Sequence, residues 1–428
     1  MADARKADQL SWPTDQDTAA IDSYLLTHRN DLIRLLDDLV RIDSQIPPHA
    51  DERRIAAFLH ERMGALDLGE IETFAASPER PNLVARMRGT GGGRALLLNG
   101  HLDTKPVGDA RTQWQSDPHV PDYRDGRMYG LGTADMKGAV AAMVFAAAAL
   151  RASGLQLSGD LVLGFSADEE AGASMGSRFL APLLEGVDAC LIGEPSGWDR
   201  NWQGICVVCR GVCCFRIRVR GTQGHSSLTD LCPSVNASLQ MAELLVAIKT
   251  GLSLDFPVHP LGGAEPTLNP GVLVSGGVYF GVVPGVAEFA CDLRTVPGMT
   301  QDGVRTAIER WLDIRRQMTP GLDVEVEFEP GLGWVPPAEI SLDHALVHVT
   351  QAAAAEVLGS APPPVVFPGG TDAPWFENAG IPTIPSFGPG LLSCCHGPNE
   401  YVEIESVYQA ARIYARIAAR YCMTKDRQ

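Results

Sequence analysis

The chain has 428 residues, more than one ordinary core encloses, so two or three domains are expected. Hydrophobic residues make up 45% and charged residues 20%, which excludes a disordered or fibrous chain. The 35 basic residues against 52 acidic leave a net charge of −17, which argues against a general binder of nucleic-acid phosphates. No block of like charge reads as an acidic tail, so the charge reads as a solvated surface. The first residues, MADARKADQLSWPTDQ, hold no apolar segment of the secretory type. The longest nearly unbroken apolar run, Ala139 to Leu150, is too short to span a bilayer and reads as a buried helix of small side chains. The ten cysteines read as reduced thiols, and the chain as soluble, cytoplasmic and not membrane-bound.

Between Asp22 and Ile42, Leu25, Leu26, Leu32, Ile33, Leu36, Leu39 and Val40 recur at helical spacing and predict one amphipathic helix. Short apolar runs that end in polar residues follow. Ala95–Asn99 runs into Gly100-His101-Leu102-Asp103, Leu161–Phe165 into Asp168-Glu169-Glu170, and Ala189–Ile192 into Gly193-Glu194-Pro195. Helical stretches near 139–152 and 175–185 separate them. Alternating strands and helices imply a mostly parallel sheet with helices on both faces, whose ligands lie at the carboxyl ends of the strands. After Trp198 the pattern changes. Cys206–Arg220 reads as one strand, with Phe215, Ile217 and Val219 alternating against Arg216, Arg218 and Arg220. A helix from about Val235 to Lys249, strands at 271–275 and 286–294, a helix at 301–317 and a strand at Asp323–Phe328 complete a small α+β domain with an antiparallel sheet. PGLGWVPP, 330–337, reads as the exit linker, and from Ser341 a helix leads into further βα material. The expectation is a discontinuous α/β domain, residues 1–204 and 336–428, interrupted by a smaller domain at 205–335.

Several polar groups at these strand ends suit metal chemistry, and each has a plainer reading. His101 and Asp103 are a ligand and its orienting carboxylate, or a surface pair. Asp135, in GTADMKG, is a ligand in a Gly-flanked turn, or a helix N-cap. Asp168-Glu169-Glu170 needs cations, or water, to relieve the repulsion of adjacent acids. Glu194 and His396 are incidental if taken singly. Together they supply two imidazoles and several carboxylates, the donors that a two-metal hydrolytic centre needs.

In order and spacing, GHLDT, YGLGTADMKG, ADEEAG, GEP, GHSS, DLR, GGTDA and a late His-Gly-Pro resemble the M20 family of metallohydrolases, from about Asn82 to Ala411. That family includes acetylornithine deacetylase, succinyl-diaminopimelate desuccinylase, aminoacylase and glutamate carboxypeptidase. The resemblance implies that Asp135 bridges two metals, often followed by a cis peptide. His101 and Glu194 would complete one metal's ligands, and Glu170 and His396 the other's. Glu169 would be the general base beside an acidified bridging water, and Asp103 would orient His101. The metals would be two divalent ions, zinc first, with manganese or cobalt as alternatives. The inserted domain would be a lid that forms a homodimer. From it His225 would reach across to stabilise the oxyanion, and Arg294 would hold the substrate carboxylate. Gly370 and Thr371 would line the substrate pocket.

The chain departs from the family at Gly281, where relatives commonly carry a substrate-contacting Asn, and at Leu131, where many carry Arg. Cys206-x-x-Cys209 with Cys213-Cys214 mimics a zinc knuckle, but the intervening residues are strand-forming, so these read as packed thiols. Cys394 and Cys395 read as packing beside His396. The implied function is a dinuclear metal-dependent amidohydrolase cleaving an N-acyl amino acid or related small carboxylate-bearing amide by metal-hydroxide attack. A dipeptidase, a carboxypeptidase or a catabolic hydrolase of an unusual amide, urea or aryl amine is the alternative. A non-catalytic metal-binding relative is the more distant one.

Overall fold

A computed structural model describes residues 13–423. Two compact units make up the chain. The larger runs through Val208 and continues with Glu339–Phe367 and from Thr371 onward; the smaller comprises Cys209–Ala338 with Pro368–Gly370.

Among the described residues, the larger unit holds a six-stranded sheet in the order Glu70–Ala75, Pro81–Met87, Leu161–Ser166, Leu96–His101, Ala189–Ile192, Thr383–Ile384. The first two pairings are antiparallel, and from Leu161–Ser166 onward all pairs are parallel. Leu161–Ser166, Leu96–His101 and Ala189–Ile192 are buried along their whole length, as strands covered on both faces must be. Because these three are adjacent and parallel, the polar residues that follow them emerge at one edge. His101 stands between the acids of 168–170 on one side and Glu194 on the other.

The helix Gly138–Ser153 is apolar on every face and buried almost throughout, packed against Ile404–Met423 and Asp15–Thr27. With the turn before it, Thr133–Ser153 is long and apolar enough to cross a membrane, but it is the core helix of this unit. The predicted single helix over 22–42 is two, Asp15–Thr27 and Arg29–Arg41, divided at His28. The His28 ring stacks on Tyr24 and its Nδ1 lies 2.9 Å from the Tyr24 carbonyl, which also accepts from the His28 N–H, while the His28 backbone itself leaves helical geometry at φ −102°, ψ 19°.

The smaller unit has a four-stranded antiparallel sheet in the order Thr267–Gly276, Val286–Thr295, Gly211–Arg220, Asp323–Phe328, with helices Ala237–Gly251 and Gln301–Met318. Cys213, Phe215, Ile217 and Val219 face inward. On the other face Arg218 pairs with Glu288 at 2.9 Å and Arg216 with Glu329 at 3.0 Å, a cross-strand ladder of opposite charges. The strand expected over 206–220 is two, Ile205–Cys209 and Gly211–Arg220, separated at Arg210. Cys206, Cys209 and Cys213 are buried on these strands, so the spacing that mimics a zinc knuckle is core packing.

Candidate metal centre

Asp135 organises the site. It lies in the turn that leads into the core helix, followed by a cis peptide to Met136. The Glu400 carboxylate holds that turn, accepting from the N–H groups of Gly132 at 2.9 Å, Ala134 at 2.9 Å and Asp135 at 3.1 Å. From there Asp135 Oδ1 lies 2.8 Å from His101 Nε2, and Oδ2 lies 3.1 Å from His396 Nε2. Glu194 Oε1 is 3.4 Å from His101 Nε2, and Glu170 Oε1 is 3.2 Å from His396 Nε2. Two donor groups result, His101–Asp135–Glu194 and Asp135–Glu170–His396, each with its ligand atoms within 4.8 Å of one another and both sharing Asp135.

The electrostatics show what such a cluster requires. Burial opposes the charge on Asp135, but hydrogen bonds from His101 and His396 hold its carboxyl well below the usual range. Burial pulls the His101 imidazole down, while Asp103, Asp135 and Glu194 outweigh it and hold the ring well above its ordinary value. Burial also opposes charge on His396, yet Asp135 and Glu170 push it up to about 11. Glu194 is raised to about 7 by burial and by Asp135, against the pull of His101. Burial lifts Glu169 well above the carboxylate range, with Glu170 and Glu194 adding to it. The carboxylates thus compete for too little positive charge. Two imidazoles and three carboxylates, one of them the shared aspartate, fit a pair of divalent cations better than they fit two protons.

The Asp103 carboxylate accepts from the N–H groups of Glu169 at 3.2 Å and Glu170 at 3.0 Å, so it shapes the acidic loop. His101 Nδ1 is closer to the Asp103 carbonyl, 2.9 Å, than to its carboxylate, 3.6 Å. That Nδ1–H···O=C bond leaves Nε2 as the ligand atom. Glu169 itself is partly exposed beside Glu170.

Sequence reasoning missed the layer beneath. Arg80 is buried, donating to both Glu52 oxygens at 2.6 Å and lying 3.0 Å from Asp168 and 3.9 Å from Asp103. Burial lifts the Glu52 carboxyl to about 6 in spite of this partner. Lys105, in the segment after Asp103, places Nζ 3.2 Å from Glu170 Oε2 and also donates to the Glu170 carbonyl. Glu400 had a local signal, an acid four residues after His396. Glu52 and Arg80 had none, because only the fold brings them under the loop.

Other expected site residues lie differently. His225 is exposed on the smaller unit, in the two-residue strand Gly224–His225. Its Nδ1 accepts from the Ser227 N–H at 3.3 Å and lies 2.9 Å from the Ser227 hydroxyl, so in the neutral ring the proton resides on Nε2. Arg294 is engaged by Asp292 on the same strand face, Nε to Oδ1 at 2.9 Å and Nη2 to Oδ2 at 2.9 Å. Gly370 belongs to the smaller unit, close to Arg210 and Val212. Thr371 is buried in the larger unit, its hydroxyl accepting from the Ala373 N–H at 3.2 Å. The Cys394 and Cys395 thiols lie on the Leu391 carbonyl at 3.1 and 3.3 Å, and neither donor group includes a cysteine.

A parallel α/β sheet that gathers histidines and carboxylates about one shared aspartate at its strand ends defines the class, a hydrolase scaffold with a carboxylate–histidine centre. Residues 97–420 match the model of peptidase family M20/M25/M40, and the chain belongs to that family. It is therefore a hydrolase of amide or peptide bonds. It is 31% identical over 379 residues to an acetylornithine deacetylase of Myxococcus xanthus, covering 86% of this chain and 89% of that one. A succinyl-diaminopimelate desuccinylase of Alkalilimnicola ehrlichii is 32% identical over 83% of this chain and 88% of its own. In fold it is similar to the di-peptidase Dug1p of Saccharomyces cerevisiae, with a TM-score of 0.75 at 16% identity over 96% and 99% of the two chains. A dinuclear metal-binding M20 peptidase of Bacillus subtilis aligns with a TM-score of 0.63 at 18% identity, over 93% of this chain and 99% of that one.

Proposed function

We propose that the protein is a dinuclear metal-dependent amidohydrolase that cleaves an N-acyl amino acid or a related small amide bearing a carboxylate. The observation that carries this reading is the sharing of Asp135 between two donor groups. His101, Asp135 and Glu194 would hold one ion, and Asp135, Glu170 and His396 the other. Zinc suits the donors, with manganese or cobalt as alternatives. When bound, the ions would polarise the amide carbonyl and acidify water.

The chain's own residues do the rest. Glu169, a carboxylate left over from ligation, takes the proton of the attacking water and returns it to the leaving amine. Asp103, through the N–H groups of Glu169 and Glu170, holds base and ligand in adjacent orientations. His225 presents an Nε2–H suited to the oxyanion. Arg294 offers a fork for the substrate carboxylate once Asp292 yields it, and Gly370 and Thr371 border the same substrate. The edge strand Thr267–Gly276, with Leu273 58% and Val274 56% exposed, supports a homodimer through the smaller unit. The cytoplasm is the proposed location.

The deacetylase and desuccinylase relatives favour N-acyl amino acids, whereas the structural neighbours named as peptidases favour a dipeptide or a peptide's end. The test is amine release from N-acetyl, N-succinyl and N-carbamoyl amino acids, dipeptides and aryl amides, with and without chelator. Chelator-sensitive turnover is expected, and the preferred member names the substrate class. Turnover that survives complete metal removal would sink the reading.

A further inference from the structure

The residues that follow the edge strand Thr267–Gly276 carry a run of three exposed apolar side chains, each barer than Val272, Leu273 and Val274 on the strand itself. Val278 is 69% exposed, Tyr279 79% and Phe280 92%. Single exposed apolar side chains are ordinary, but three in succession at the tip of one turn are a surface that awaits an apolar occupant. The two rings already meet edge to face, with centroids 5.8 Å apart and planes at 81°. Gly281 comes next, at φ +80°, and a Cβ built on it would meet nothing within 4 Å. At position 281 the chain thus offers open space and no side chain, directly after the two rings.

This turn is tied to His225. Gly224–His225 pairs antiparallel with Val282–Val283, His225 opposite Val282, and the Ser226 N–H donates to the Gly281 carbonyl at 3.0 Å. Whatever brings His225 to the substrate therefore brings Tyr279, Phe280 and the space at Gly281 with it.

We propose that Tyr279 and Phe280 are specificity-determining residues that receive an aromatic or large aliphatic group of the substrate, so that the enzyme prefers amides carrying such a group over those with a charged chain. The proposal rests on the amidohydrolase reading and on the role of His225 within it. An aromatic guest would join the edge-to-face pair, and an aliphatic one would cover it. A charged guest would lose hydration there with no polar side chain at position 281 to compensate.

The test uses the full-length, metal-loaded enzyme with N-acetylphenylalanine, N-acetylleucine, N-acetylornithine and N-acetylglycine. Its readouts are kcat and KM for the wild type and for Phe280→Ala, Phe280→Leu and Tyr279→Ala, with sedimentation velocity on each protein. The wild type should favour the phenylalanine and leucine compounds. Phe280→Ala should lower kcat/KM for N-acetylphenylalanine about tenfold relative to that for N-acetylglycine, mainly through KM, with Phe280→Leu restoring much of it. The oligomeric state should not change. A wild-type preference for N-acetylornithine, an equal loss on every substrate, or dissociation of the oligomer by Phe280→Ala would overturn the proposal, the last assigning the rings to a subunit interface. Wild-type enzyme that turned over none of these four would overturn this proposal, whereas failure on the N-succinyl and N-carbamoyl amino acids, dipeptides and aryl amides as well would overturn the amidohydrolase reading itself.

Discussion

In the larger unit charge is buried and the most apolar helix is wholly covered, whereas along one edge of the smaller unit charge is outside and apolar side chains are bare. Glu52, Asp103, Asp135, Glu170, Glu194 and Glu400 all lie inside the first, while Leu273, Val274, Tyr279 and Phe280 face outward from the second. Buried carboxylates persist only when cations or several N–H groups compensate them, so the larger unit is built to concentrate positive charge at a point. Bare apolar surface next to an unpaired strand edge persists only where something else covers it.

The comparison breaks first at Glu169. Replacing it with Ala should lower kcat by about 10²–10⁴, as expected for removal of a general base, while the protein still takes up its metal. Full activity in that variant would move the base elsewhere, and lost metal would make Glu169 a ligand.

Arg80 is the sharper test of buried charge. Arg80→Met leaves Glu52 and Asp168 without their cation and should destabilise the fold by about 3–5 kcal/mol, read as a fall in the denaturant midpoint. On the smaller unit, Arg218→Ala removes an exposed member of the Arg–Glu ladder and should barely move the same midpoint. Equal effects would erase the contrast between the units.

At the bare edge, Leu273→Lys should raise a dimer dissociation constant roughly tenfold or more, because it puts charge on the apolar edge strand. Sedimentation equilibrium measures it. A wild-type protein that is already monomeric at micromolar concentration would refute the proposed homodimer.

The smallest effect concerns Glu377, whose carboxyl is raised to about 8 by burial, aided by Glu339 and opposed by a hydrogen bond from the Glu339 N–H. A group raised in the folded state binds its proton more tightly there than in the unfolded chain. Its contribution is therefore full below the ordinary carboxylate value of 4.5 and is lost as pH rises toward about 8. Glu377→Gln should flatten the decline in stability over that window, measured by urea unfolding at several pH values. An unchanged slope would mean that Glu377 does not cause it.

The legible parts of this protein were those written locally. The alternation of Phe215, Ile217 and Val219 with arginines gave away a strand, and the residues that follow three apolar runs pointed to His101, Glu170 and Glu194, because a parallel sheet delivers strand ends to one place; Asp135 and His396 follow no such run. What was misread was also local. His28 splits one apparent helix where its backbone leaves helical geometry, and Arg210 interrupts one apparent strand.

Residue type and spacing pointed to an α/β architecture with an antiparallel insert, and the ordered motifs to the family to which the chain belongs; the ligand roles expected of His101, Asp135, Glu170, Glu194 and His396 came with that resemblance. Tertiary structure alone decided that Arg80 and Glu52 lie beneath the acidic loop, that Glu400 closes the turn at Asp135, and that Lys105 leans on Glu170. The reason is distance along the chain. A motif fixes chemistry over a few residues, but the charge balance of a buried site depends on groups tens to hundreds of positions apart, and these meet only when the sheet and its helices have packed.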